Sequence, residues 1–451
     1  MSLSEAIRIY HGLLERDTLA HDSQDQLDQQ LRRKGLFFGP RPLCMVLRPR
    51  FLTPAQYRYL QSRVRILLRA FDKVYRRALH DPQFRSQFGL TPEDEALIPI
   101  DPGFEPVAPL SRLDGFLSPA TGELYFTEYN AETPAGPAYQ DALTEVFLGL
   151  PVMREFLRFY QVQPMLACHH TLHALLHAYR QWSGRRDRPN VAILDWQEVP
   201  TYSEFVLFAN YLISQGIPCR IVDPRDVEYR NDRLMAGDFK IDLIYKRVLI
   251  NELLRQGGLD HPVIQAVRDR NVCMVNPFPC KILHKKASLA VLSDERNADL
   301  FTAAERRAID RHIPWTRLVQ ERYTTFQGRR VDLIPFILKD RAQWVLKPND
   351  EYGGKGVVLG WLTSATEWEA KVRQALQEPF VVQRRVPIPS EPYPSIVDGQ
   401  VQLIDRFQDT DPFVFYGAYG ESCLTRLSTE ALLNVTAGGG SEPPTVLFQK
   451  R

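Results

Sequence analysis

Lys347 precedes, and Lys355 sits within, a cluster of glycines (Gly353, Gly354 and Gly356) in the stretch VLKPNDEYGGKGVVLG. Glycine lets backbone N–H groups close over an oxygen-rich anion with no side chain in the way, and lysine adds a point charge for phosphate. That combination suits a nucleotide triphosphate, and it also suits an ordinary tight turn. Lys355 is followed by Gly356 and a valine-rich run instead of Ser or Thr and a helix, so this is not a Walker P-loop. The flanks, Trp344 to Leu346 and Val357 to Leu359, predict a strand, a flap and a second strand.

A second group of chemical residues lies far upstream, in SRLDGFLSPATGELYFTEYNAETPAG. Arg112 and Asp114 are two apart, as are Glu128 and Asn130, and residues two apart on a strand share a face. Antiparallel pairing around the SPATGE turn would bring Asp114, Glu128 and Asn130 together. Two carboxylates and an amide oxygen are hard ligands suited to Mg²⁺, and Arg112 would stand beside them as a planar donor for phosphate oxygens. The alternative is a surface hairpin with alternating polar residues.

Other candidates are weaker. His169, His173 and His177 form an i, i+4, i+8 stripe that could hold a metal, but no carboxylate or cysteine motif accompanies them, which favours a structural or solvent-facing stripe. Lys281, Lys285 and Lys286 are expected on one helix after the turn at Asn276-Pro277, either as phosphate contacts or as solvated charges. Arg185, Arg186 and Arg188, interrupted by Asp187, read as a linker.

The elements that must position these residues follow from periodicity. Residues from Ser4 to about Leu90 predict helices, and Gln140 to about Trp182 predicts another helical stretch. Between 188 and 275, VAILDW, CRIVDP and KIDLIYKR read as strands, and SEFVLFANYLISQG as a helix ended by Gly216. Together they predict a small Rossmann-like unit without the G-x-G-x-x-G fingerprint. A substrate would bind near its strand ends, though no single residue there stands out. After the flap come a helix (ATEWEAKVRQALQE), the strand FVVQ leading into Gln383, Arg384, Arg385 and Val386, and further strands.

Composition narrows the class. The chain has 451 residues, 44% hydrophobic and 24% charged, enough for two or three structural units. Its 56 basic and 54 acidic residues give no reason to expect nucleic-acid or membrane-surface partners. Six cysteines with no C-x-x-C spacing fit reduced thiols. Without a membrane-length apolar run or a signal-like N-terminus, the expected location is cytoplasmic.

In their order, these motifs resemble the circularly permuted ATP-grasp proteins, particularly the synthetase part of glutathionylspermidine synthases. The likeness is carried by R-x-D at Arg112 and Asp114, E-Y-N-A-E-T-P from Glu128, N-P with the lysine-bearing segment from Asn276 to Lys286, and K-P with the glycine flap. It continues through the strand-plus-Q segment from Phe380 to Val386 and T-R-L-S with N-V-T-A-G-G-G at the end, about three-quarters of the chain in all. The resemblance implies an α+β fold: a circularly permuted ATP-grasp with a Rossmann-like pre-ATP-grasp unit and an N-terminal helical region. It implies a division into 1–95 (helical), 96–187 (metal-ligand half), 188–275 (Rossmann-like) and 276–451 (nucleotide half).

By the same resemblance, Asp114, Glu128 and Asn130 would hold Mg²⁺, and Arg112 and Arg426 would contact phosphate or an acyl phosphate. Lys286 and Lys347 would bind the phosphates of ATP under a lid of Gly353, Gly354, Lys355 and Gly356, and Gln383, Arg384, Arg385 and Val386 would form the adenine hinge. The implied activity joins a small-molecule carboxylate to an amine (an amino acid, peptide or polyamine) with ATP cleavage. No amidase-type cysteine domain precedes these motifs, and SPATGE looks like an insertion, so spermidine is not carried over. A phosphotransferase and a nucleotide-binding sensor or scaffold on the same fold are the alternatives.

Overall fold

A computed structural model of the chain describes residues 2–16, 18–351, 353–431 and 440–451. The segment Leu433 to Thr436 and two of the terminal glycines, Gly438 and Gly439, lie outside the described residues.

Helices and sheets are mixed as expected, with several interruptions that the periodicity does not announce. The N-terminal region holds helices Leu3–Leu14, Leu19–Lys34 and Pro54–His80, but short strands, among them Arg50–Leu52, break it in the middle. Pro54–His80 begins at a capping box: Thr53 caps the backbone of Gln56, and Gln56 reaches back to Thr53. The stretch expected to be helical from Gln140 to Trp182 is likewise cut by strand Tyr160–Pro164, which pairs with the last strand, Thr445–Lys450.

Arg112 and Asp114 lie on strand Leu110–Leu117, which pairs antiparallel with Leu124–Asn130 across the SPATGE turn. The turn closes with Ser118 N–H on Glu123 C=O and Gly122 N–H on Ser118 C=O, with Gly122 at φ 72°. The sheet continues with Asp411–Phe415 and Tyr419–Leu424, so its four strands come from both ends of the chain. One face buries Leu113, Leu117, Phe126 and Tyr129 in the core that also holds Leu60, Leu67 and Phe71 of the long helix, with the Phe71 and Tyr129 ring centres 4.5 Å apart. Each such side chain removed from water contributes about 1.5–3 kcal/mol, which anchors the hairpin and leaves its polar face free.

The Rossmann-like unit is a parallel sheet in the order Cys273–Val275, Leu243–Lys246, Val191–Leu194, Cys219–Val222. Cys273–Val275 is a strand that periodicity does not flag, since three apolar residues are too few to show alternation. Helix Tyr202–Ser214 makes the crossover, with Gly216 just beyond its end at φ 74°.

A third sheet, Thr316–Leu318, Phe380–Arg384, Trp344–Pro348 and Val358–Leu359, is antiparallel throughout and carries the flap. The lysine segment is not one helix as expected. Lys281–His284 and Ala287–Ser293 are separate, because Lys285 is extended at ψ 132°. All six cysteines are free thiols, and no helix among the described residues is long and apolar enough to cross a membrane.

Candidate functional site

Strand pairing sets Asp114 directly opposite Glu128, and Arg112 opposite Asn130. The register slips after Asp114, and the slip leaves Thr127 without a cross-strand partner. Gly115 makes this bulge possible: a Cβ there would stand 2.4 Å from the Tyr125 carbonyl oxygen. The freed Thr127 carbonyl then accepts from Lys347 Nζ at 3.1 Å, joining the hairpin to the flap sheet.

Around Asp114 the charges are tightly paired. Arg112 grips it with Nε on Oδ1 at 2.7 Å and Nη2 on Oδ2 at 2.9 Å, and Arg426 Nη2 reaches the same Oδ2 at 2.9 Å. Arg426 also binds Asp409 and Asp411, which sequence reasoning missed. Burial pushes the Asp114 carboxyl up, but Arg112 and then Arg426 outweigh it and hold the group at about 2. Three carboxylates sharing two guanidiniums leave one surplus negative charge. Burial, reinforced by Asp114 and Asp409, drives the Asp411 carboxyl far above its usual range. The signal in the sequence was D-T-D running into a strand, Asp409 to Asp411.

Glu128 pairs with Lys286 at 3.0 Å, and Lys286 with Lys347 outweighs the effects of burial and of Asp114 to lower its carboxyl. Lys347 Nζ bonds Gln383 Oε1 at 2.8 Å, and burial lowers its pKa to about 8. The K-P-N-D residues of the flap clamp the lysine segment. Asn349 Oδ1 accepts from Ala287 N–H, Asp350 pairs with Lys281 and Lys285, and the Glu351 carbonyl accepts from Lys286. This clamp is why Lys286 faces the cavity while Lys281 and Lys285 serve the framework.

One cavity of about 480 Å³ gathers Arg112, Asp114, Glu128, Asn130, Lys286, Lys347, Gly353, Gly354, Lys355, Gln383, Arg384, Arg385, Val386 and Arg426 along its walls. Gly356 is the one expected site residue that does not line it: a Cβ there would meet Pro348 at 2.7 Å, so it shapes the flap. Lys355 stands at the rim, exposed and 3.7 Å from Glu351. In the segment expected to be the hinge, the N–H groups of Arg384 and Arg385 are already spent on the carbonyls of Trp315 and Gln343. Val386 N–H donates to nothing among the described residues, and the Gln383 side chain is committed to Lys347 and Thr316. Among the described residues, Val386 alone of these four therefore keeps a free backbone donor. Beside it, the Arg385 guanidinium stacks 4.1 Å from the Trp361 ring centre.

The far end of the cavity is formed by the parallel sheet. Asp195 and Arg247 follow the neighbouring strands Val191–Leu194 and Leu243–Lys246, between which the strand order reverses. Such a switch point, at the carboxyl ends of the strands, is where open α/β sheets bind ligands. Arg247 is balanced by Glu204 at 3.4 Å, whereas Asp195 and Glu252 form no ion pair among the described residues. Burial raises the Asp195 carboxyl to about 6. These residues escaped sequence reasoning because only the crossover brings them to one edge.

The donor set suits a hard divalent cation. Asp114 stays ionised near neutral pH, and the Glu128 carboxylate and Asn130 amide lie on the same face of the hairpin. A second group, Glu132, His284 and Asp350, has ligand atoms within 4.8 Å of one another, but Lys281 and Lys246 occupy Glu132, and Lys281 and Lys285 occupy Asp350. His169, His173 and His177 are all exposed.

Residues 117–423 match the family model described as circularly permuted ATP-grasp type 2; Arg112, Asp114 and Arg426 stand just outside that span. A glutathione synthetase-like effector from Globodera pallida, solved in its apo form, aligns over 96% of this chain and 98% of its own length. Its TM-score is 0.61 at 12% identity, a likeness of fold alone. A RimK domain ATP-grasp protein from Sphaerobacter thermophilus aligns over 57% of this chain and 90% of its own, with 15% identity and a TM-score of 0.28. D-alanyl-alanine synthetase A from Vibrio cholerae aligns over 57% of this chain and 88% of its own, with 11% identity and a TM-score of 0.27. No curated protein sequence matches the chain significantly.

Proposed function

Because this chain belongs to the circularly permuted ATP-grasp type 2 family, we propose that it is an ATP- and Mg²⁺-dependent ligase joining a small-molecule carboxylate to an amine. The observation that carries this reading is the shared cavity. An oxygen ligand trio (Asp114, Glu128, Asn130), phosphate-ready cations (Lys286, Lys347, Arg112, Arg426), a glycine flap and a hinge with a free N–H line one space.

Mg²⁺, held by Asp114, Glu128 and Asn130, would supply charge neutralisation on the phosphates. Lys286 and Lys347 would bind those phosphates, and Gly353 and Gly354 would lay backbone N–H groups over them. The Val386 N–H would meet the edge of the base. A carboxylate resists amines at neutral pH, so the γ-phosphoryl group passes to it first, giving an acyl phosphate. Arg112 and Arg426 would stabilise the charge on that group while the flap excludes water, which would otherwise hydrolyse it. The amine then attacks, releasing phosphate and the amide.

Purified protein with ATP, Mg²⁺ and a panel of amino acids, short peptides and polyamines is expected to release ADP only when both a carboxylate and an amine are supplied. No substrate-dependent ADP across the panel would sink the reading, and a phosphorylated product without amide would shift it to phosphotransfer.

A further inference from the structure

Glu442 is nine-tenths buried, lines the same cavity, and forms no side-chain hydrogen bond or ion pair among the described residues. Its backbone is fixed. Ser441 and Leu427 exchange N–H···O=C bonds on one side, Glu442 N–H donates to Leu43 C=O, and the Pro444 carbonyl accepts from Arg50 N–H. Since Leu427 adjoins Arg426, this bridge brings Glu442 to the arginine side of the cavity. The charged groups acting on its carboxyl are Arg426, Arg112, Glu204 and Asp409, in that order. Both arginines, and Glu204, which pairs with Arg247 at the parallel-sheet end, are thus within electrostatic reach of its carboxyl. A buried carboxylate with no partner is costly, and one turned into a cavity points to a ligand group that completes it.

We propose that Glu442 is the general base that accepts the proton of the incoming amine, a role that rests on the ligase reading. An amine enters as its ammonium ion and has no lone pair to attack with. Glu442 takes one proton from R–NH₃⁺; the freed lone pair forms the C–N bond to the acyl carbon, and the C–O bond to phosphate breaks. The second nitrogen proton leaves with phosphate as HPO₄²⁻, and Glu442 returns its own to solvent as the amide departs. Burial raises this carboxyl to about 7, against the pull of the arginines. A base with that affinity is matched to neutral pH.

The test compares two nucleophiles on the panel carboxylate that gives most product. Hydroxylamine is mostly uncharged at neutral pH and traps an acyl phosphate as a hydroxamate without needing a base. Glu442→Gln is expected to cut amide formation about 100-fold while leaving hydroxamate formation nearly intact. The rise of wild-type turnover through pH 7 at saturating amine should vanish in the variant. Formate should partly restore amide formation in Glu442→Ala, an effect that a structural role would not produce. Equal losses with both nucleophiles and no rescue would overturn the proposal, as would unchanged amide formation. If the wild-type protein forms no hydroxamate with any carboxylate, the ligase reading itself falls and the proposal with it.

Discussion

Asp114 and Glu128 face each other directly across an antiparallel hairpin, yet each is held by different cations, Asp114 by Arg112 and Arg426 and Glu128 by Lys286. Two carboxylates facing each other would repel, and the separate cation sets offset that repulsion and lower both carboxyls. The pair therefore couples the two halves of the cavity.

Asp114→Asn is expected to lower Mg²⁺-dependent ADP release by about 100-fold or more. The neutral amide keeps the shape but loses the charge that Arg112 and Arg426 balance. Circular dichroism should show the fold retained; unchanged turnover would remove Asp114 from the metal assignment.

Acid stability should depend on the same residue. The Asp114 carboxyl sits near 2 in the folded protein against an ordinary 3.8, so its contribution is complete above 3.8 and is lost as the pH falls toward 2. Glu132, lowered by Lys281 and Lys246, acts in the same direction. An acid titration of Asp114→Asn followed by circular dichroism should be less steep across that window.

Lys347 titrates at about 8 in the free protein, so it carries its full charge only below that pH. Phosphates bound beside it would raise its pKa, and ATP binding just above pH 8 should therefore take up a proton. Affinity should fall as the pH rises through 8. Calorimetry in buffers of different ionisation enthalpy measures the uptake, and Lys347→Met should abolish it.

Gly115→Ala places a Cβ 2.4 Å from the Tyr125 carbonyl oxygen and 2.9 Å from the Phe126 ring. Overpacking of this kind costs about 1–3 kcal/mol and would also displace the Thr127 carbonyl that Lys347 uses. Gly122→Ala, in the exposed turn with open space around it, should cost only about 1 kcal/mol, from its positive φ. Urea denaturation of the two variants decides the comparison.

Glu132 is fully buried, with Lys246 and Lys281 on its oxygens and the Ile250 N–H donating to one of them. Glu132→Gln leaves two buried lysines short of charge and should cost about 3–5 kcal/mol. A loss below about 1 kcal/mol in urea would mean that the lysines find other partners.

The Asp114–Glu128 hairpin, the two strands around the glycine flap and the strand running into Gln383 were legible because each is local: alternation on a strand and glycines in a turn are written within a few consecutive residues. The turn sets Leu117 opposite Leu124 and Gly115 opposite Phe126 and by itself would place Asp114 opposite Thr127; only the bulge after Asp114 brings it opposite Glu128. The break at Lys285 was not legible, since it is imposed by Asn349 and Asp350 from some sixty residues away in sequence. The division of labour among Lys281, Lys285 and Lys286 follows from that break.

The sequence alone determined which chemistry the chain can host, because residue types and short spacings set charge, ligand hardness and backbone freedom. Tertiary structure decided the membership of the site. Asp409 and Asp411 reach Asp114 only because strand Asp411–Phe415 pairs beside Leu110–Leu117. Asp195 and Arg247 come to one sheet edge only where a parallel crossover reverses the strand order, and Glu442 reaches the cavity through a bridge between Ser441 and Leu427. These contacts join residues tens to hundreds of positions apart, and no periodicity in a chain encodes which distant segments will share an edge.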